Sequence, residues 1–108
     1  MTTEDDVFLS PPDGFAFEPA HPGEVLQEDL AARGLTANAL ALKLRVPANR
    51  LTEILNGKRK VSPGAALRLR RYLGPSAAFW LNLQSQYDLA RAEKRIGAKI
   101  RAEVESAA

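Results

Sequence analysis

Glycine and proline interrupt this chain so often that only short elements fit between Pro22 and Ser76. Proline has no N–H and is tolerated in a helix only in its first turn. Glycine readily adopts the positive φ that ends one. On that basis Pro22 opens a helix and Gly34 stops it, Pro47 restarts the chain, and Gly57 turns it. Ser62-Pro63 opens another helix and Gly74-Pro75 closes it. Val46 precedes a proline and is pushed out of the helical region. Thr36 and Ser76 are N-cap residues by type. Between these marks the apolar residues recur at helical spacing. They are Val25, Leu26 and Leu30, then Leu40, Ala41 and Leu44, then Leu51, Ile54 and Leu55, then Ala66, Leu69 and Leu73. Trp80, Leu83 and Tyr87 continue the pattern after Ser76. Leu89, Ala92, Ile96, Ile100 and Val104 carry it toward the C-terminus, with Gly97 weakening the helix by about 1 kcal/mol relative to alanine. No segment alternates as a strand does. The expectation is an all-α chain of five helices, the last one extended.

At 108 residues the chain can bury one small core. It has no cysteine, so disulfides, thiolate chemistry and zinc knuckles are excluded. His21 is the one histidine, lies among prolines, and is expected to stabilise a turn; alone it makes no metal site. With no nucleophile-elbow glycines to serve a triad, neither enzyme activity nor a cofactor is expected. The N-terminal stretch "MTTEDDVFLS" lacks the features of a signal peptide, and nothing approaches the roughly 20 apolar residues that span a bilayer. A cytoplasmic location without membrane contact is expected.

The net charge of +2 conceals a segregation. Residues 1–21 carry Glu4, Asp5, Asp6, Asp13 and Glu18 and no cation, a charge of −5. All 15 basic residues lie after them. Residues 43–71 hold nine of these against one acid, Glu53. Such clustering suits a polyanionic partner.

Two short helices joined tightly at residues 45–47 are the pattern of a helix-turn-helix. Ala41 is small where the two helices cross, and Leu40, Leu44, Leu51 and Ile54 or Leu55 form the wedge that sets their angle. The second helix then presents Ala48, Asn49, Thr52 and Glu53 as candidate base-reading residues. Asn49 suits adenine, and Thr52 suits either base type or a thymine methyl. Glu53 would be repelled by phosphate unless it accepts from a cytosine amino group or pairs with Arg50. The candidate phosphate-binding set is Thr36, Asn38, Lys43, Arg50, Asn56, Lys58, Arg59 and Lys60.

The runs "HPGEVLQEDL" (21–30), "ILNGKRKVS" (54–62), "ALRLRRYLG" (66–74) and "FWLNLQSQYDL" (79–89) closely resemble the HigA/VapI family of addiction-module antitoxins. The resemblance covers about residues 19–92. It implies a lambda-repressor-like domain with a helix-turn-helix of the Cro/C1 (XRE) type over residues 22–92. The acidic, flexible arm at 1–21 and a C-terminal helical extension at 93–108 flank that domain. It further implies a homodimer on palindromic double-stranded operator DNA, repression of the protein's own operon, and neutralisation of a HigB-type toxin that cleaves mRNA. Three positions depart from the family pattern. Arg45 stands where the turn glycine is common, and Ala37 and Ala48 stand where polar DNA contacts are often found.

Other readings stay open at this level. The "FWLNLQ" segment can be core or dimer surface, with Trp80, Leu83 and Tyr87 as the candidate dimer contacts. The acidic arm can be a solvated tail, a cover for the toxin's basic site, or a segment folded onto the chain's own basic face. A solitary XRE-type transcriptional regulator without a toxin is the alternative function.

Overall fold

Among the described residues five helices form where the local signals place them: α1 (Pro22–Arg33), α2 (Ala37–Leu44), α3 (Ala48–Leu55), α4 (Pro63–Leu73) and α5 (Ala77–Glu103). The computed structural model describes residues 18–107. Residues 1–17 of the acidic arm, among them the apolar Val7, Phe8, Leu9, Phe15 and Phe17, lie outside the described residues, as do the readings placed on them.

Side chains close four of the five N-termini. Thr36, Ser62 and Ser76 each accept a hydrogen bond at Oγ from the backbone N–H three residues on, at 3.1 Å. His21 plays that part for α1, its Nδ1 accepting from the Gly23 N–H at 2.9 Å. The turn-stabilising role expected of this histidine is therefore a helix cap, worth about 1 kcal/mol in such positions. Pro47 caps α3 without a side-chain bond.

Both helices of the helix-turn-helix end in the same way. Beyond α2, the Val46 N–H donates to the Ala41 carbonyl and the Arg45 N–H to the Leu42 carbonyl. Beyond α3, Lys58 donates to Glu53 and Gly57 to Ile54. These paired bonds are the Schellman motif, which needs one residue in left-handed backbone. After α3 that residue is Gly57, at φ 75°. After α2 it is Arg45, at φ 59° and ψ 45°. Arg45 alone among the described non-glycine residues has positive φ. Its Cβ pays for this conformation with about 1 kcal/mol that glycine would not lose.

The described residues divide into two compact units, one spanning 20–85 and the other 86–107 with Glu18 and Pro19. In the first, α1 packs on α3, α2 packs on α3, and α2 packs on α4. Leu26, Leu40, Leu51, Leu69 and Trp80 are nearly inaccessible at its centre. Leu44, Ile54, Leu55, Val61, Ala66 and Leu73 surround them. Both Ile54 and Leu55 are buried, so the wedge uses the two residues between which the spacing left a choice. In the second unit α5 continues to Glu103, and Glu18 pairs with Lys94, Glu93 with Arg101, and Lys99 with Glu103. Residues 92 and 93 lie within α5, so no helix break marks the boundary expected there. Among the described residues no helix is long and apolar enough to cross a membrane.

Candidate nucleic-acid interface

The α3 helix buries one side and offers the other. Leu51, Ile54 and Leu55 face the core. At 100° per residue, Asn49, Thr52, Glu53 and Asn56 fall away from that side, whereas Ala48, in the first turn, lies on the same side of the helix as Leu55. Ala48, Asn49, Thr52 and Asn56 are exposed, and Glu53 is partly so. The structure thus brings Asn49, Thr52 and Glu53 onto one face, with Ala48 exposed at the N-terminal end of the helix and off that face. Arg50 is exposed on its flank, and Lys58, Arg59 and Lys60 are exposed beyond its C-terminal turn. On α2, Asn38 and Lys43 are exposed, as is the cap residue Thr36.

The C-terminal end of α3, which leads into the cations, is held from several directions. Gln27 on α1 donates through Nε2 to the Leu55 carbonyl at 2.6 Å, satisfying one of the free carbonyls of α3. Gly23 lies so close to α3 that a Cβ there would be 2.0 Å from the Ile54 oxygen and 2.9 Å from that of Leu55. Only glycine permits that approach of two backbones. A Cβ at Gly57 would lie 3.8 Å from the His21 ring. Farther on, the buried Gln84 accepts from the Val61 N–H at 3.0 Å and anchors the far end of the cationic loop. On the other side, Arg68 donates from Nη1 to the Leu44 carbonyl at 2.9 Å, closing α2.

Gly23, Gln27, Arg68 and Gln84 were not singled out from sequence. Each acts on a residue at least 23 positions away, and periodicity and capping rules report nearer neighbours.

Two expectations need correction. Glu53 pairs with Arg59, Nε to Oε1 at 2.7 Å, and not with Arg50. The Schellman turn at Gly57 folds the chain back so that Arg59 reaches α3, whereas Arg50 lies on another flank of the helix. This exposed pair contributes at most about 1 kcal/mol to stability. It does occupy Arg59, which the sequence had assigned to phosphate, and it offsets the one acid on the reading face. The second correction concerns Trp80. It is 1% exposed and packed in the core, which leaves it no surface for a second copy. Leu83 also packs against that core. Tyr87 is partly exposed, with Arg91 donating to its hydroxyl at 3.2 Å and lying 5.5 Å from its ring centroid.

Comparison with known proteins places this geometry. A helix-turn-helix family model matches residues 26–80. Virulence-associated protein I of Dichelobacter nodosus is 48% identical over 75 residues, which cover 68% of this chain and 69% of that protein. An addiction module antidote protein of the HigA family from Coxiella burnetii has the same fold at a TM-score of 0.80 and 46% identity, covering 83% of this chain and 99% of its own. Antitoxin HigA of Pseudomonas aeruginosa, solved with the higBA promoter, gives a TM-score of 0.81 at 40% identity, covering 84% of this chain and 100% of its own. With the helix-turn-helix matched in sequence and the five helices matched in space, this chain belongs to the HigA family of helix-turn-helix proteins.

Proposed function

We propose that this protein is the antitoxin of a toxin–antitoxin module. It binds operator DNA as a homodimer through α3, represses its own operon and neutralises a HigB-type toxin that cleaves mRNA. One observation carries the DNA half of this reading. A polar face bearing Asn49 and Thr52 stands opposite buried Leu51, Ile54 and Leu55, and leads directly into Lys58, Arg59 and Lys60. Hydrogen-bonding tips suit base edges and the cations suit phosphates. The toxin half rests on family membership. No catalytic step is assigned to the chain.

Footprinting on the DNA upstream of the protein's own gene tests the first half. Protection of a two-fold symmetric site, with half-sites about 34 Å apart, is the expected result. Co-expression with the reading frame adjacent to its gene tests the second. Growth rescue by this protein supports the antitoxin reading. Protection of the operator without rescue leaves the solitary regulator.

A further inference from the structure

Beside the helix-turn-helix, the ends of α2 and α4 enclose an open groove of about 360 Å³ lined by Lys43, Leu44, Arg45, Arg68, Arg71 and Tyr72. Four of these six are cations and none is an acid. Elsewhere several cations are paired with carboxylates: Arg33 with Asp29, Arg59 with Glu53, Lys94 with Glu18 and Arg101 with Glu93. Here, among the described residues, Lys43, Arg45 and Arg71 have no hydrogen-bonding or ion-pair partner. Arg68 spends one N–H on the Leu44 carbonyl, which fixes its guanidinium at the groove wall with other donors left over. Arg45 holds its place in left-handed backbone, where glycine would be unstrained. A strained residue bearing an unpaired charge at a cationic groove has its use in the side chain.

We propose that this groove binds backbone phosphates of the operator duplex, next to the base pairs read by α3. The inference rests on the DNA-binding reading above and extends the contact surface to Arg45, Arg68 and Arg71. Arg45 precedes the first residue of α3 by three positions, so their Cα atoms are at most about 11 Å apart. A major groove is about 12 Å wide, so a cation that near the start of α3 reaches the phosphates bordering the same groove. The planar donor forks of three arginines match phosphate oxygens. An acidic protein segment would satisfy the same charges. However, an mRNA-cleaving toxin must present a basic surface to its substrate, and this groove would repel it.

The full-length protein and its Arg45→Gly and Arg71→Gln variants test the proposal in fluorescence-anisotropy titrations. The probes are a duplex from the DNA upstream of its gene and a random-sequence duplex, each titrated between 50 and 200 mM salt. Arg45→Gly relieves backbone strain and should melt at a higher temperature than the parent. Each variant should nevertheless bind both duplexes several-fold more weakly, with the salt slope reduced by about 1 per lost phosphate contact. A stabilised Arg45→Gly that binds less well excludes a structural origin for the loss. Parental affinity and slope in both variants overturn the proposal, as does a loss confined to the upstream duplex. So does undiminished DNA binding accompanied by loss of binding to a poly-glutamate peptide, which would assign the groove to an acidic protein. If the parent itself binds the upstream duplex no better than random DNA, the operator reading fails. The groove is then judged on the random duplex alone.

Discussion

Gly23 and Gly34 bound the same helix, yet substitution at each meets a different obstacle. At Gly34 the obstacle is conformational. Its φ is 67° and a Cβ would meet nothing within 4 Å. At Gly23 the backbone is ordinary helix and the obstacle is the Ile54 carbonyl, 2.0 Å from where a Cβ would lie. A flexible side chain can swing aside, but a backbone oxygen moves only with its helix. Gly34→Ala should therefore cost about 1 kcal/mol, and Gly23→Ala about 3 kcal/mol, as overpacking does when no neighbour yields. Urea unfolding of both variants measures the difference. Gly23→Ala should also weaken DNA binding, because the carbonyl it displaces lies at the end of α3. Equal losses of stability would show that α1 retreats from α3 at little cost. Asn49 and Lys58 divide along another line. Asn49→Ala should relax preference at one base pair by about 1–3 kcal/mol. Lys58→Gln should weaken promoter and random duplexes alike and lower the salt slope by about 1. Competition titrations with single-base operator variants separate the two. Uniform loss for Asn49→Ala would remove it from the base-reading set.

The element scale is where neighbours in space override neighbours in sequence. Glu53 on α3 and Arg59 in the following loop are joined at 2.7 Å because Gly57, at φ 75°, turns the chain back. In the free protein this holds one cation away from phosphate. Glu53→Gln should release Arg59 and remove a repelling carboxylate. Binding to a random duplex should then tighten several-fold, and the salt slope should steepen by about 1. Unchanged values would mean that the pair already opens when DNA binds. The same pair shows what could be read in advance. Caps at Thr36, Ser62 and Ser76, stops at Gly34 and Gly74, and the buried stripes of α2, α3 and α4 were legible, because each depends on residues within one or two turns. The positive φ at Arg45 was legible as a departure from the family pattern. The partner of Glu53, the closing of α2 by Arg68 and the contact at Gly23 were not. Each depends on how helices pack, and no local pattern encodes that. Apolar periodicity in α5 marked Trp80 as a residue to be covered, but not by what; the core of its own chain covers it.

At the scale of the whole molecule the open matter is what covers the rest of α5. Leu89, Ile96 and Ile100 are 61%, 38% and 46% exposed. Their spacings of seven and four residues set them on one face of the helix. An apolar stripe of this kind is a natural seam for a second copy, and two-fold pairing is the arrangement that a palindromic operator demands. With Trp80 buried, we propose that the dimer surface runs from Tyr87 along the C-terminal half of α5. Leu89→Glu with Ile100→Glu places carboxylates in that seam, where a second copy would have to bury them unpaired. The substituted positions are exposed, so the fold of residues 20–85 should survive, with helical content by circular dichroism as the check. Analytical ultracentrifugation at micromolar concentration should find the parent dimeric and the double variant monomeric. Loss of the dimer should also cost more affinity for the operator than for random DNA, since a monomer reads only one half-site. A parent that sediments as a monomer would reject the dimer itself. A double variant that remains dimeric would place the two-fold seam elsewhere and leave the α5 stripe to another partner.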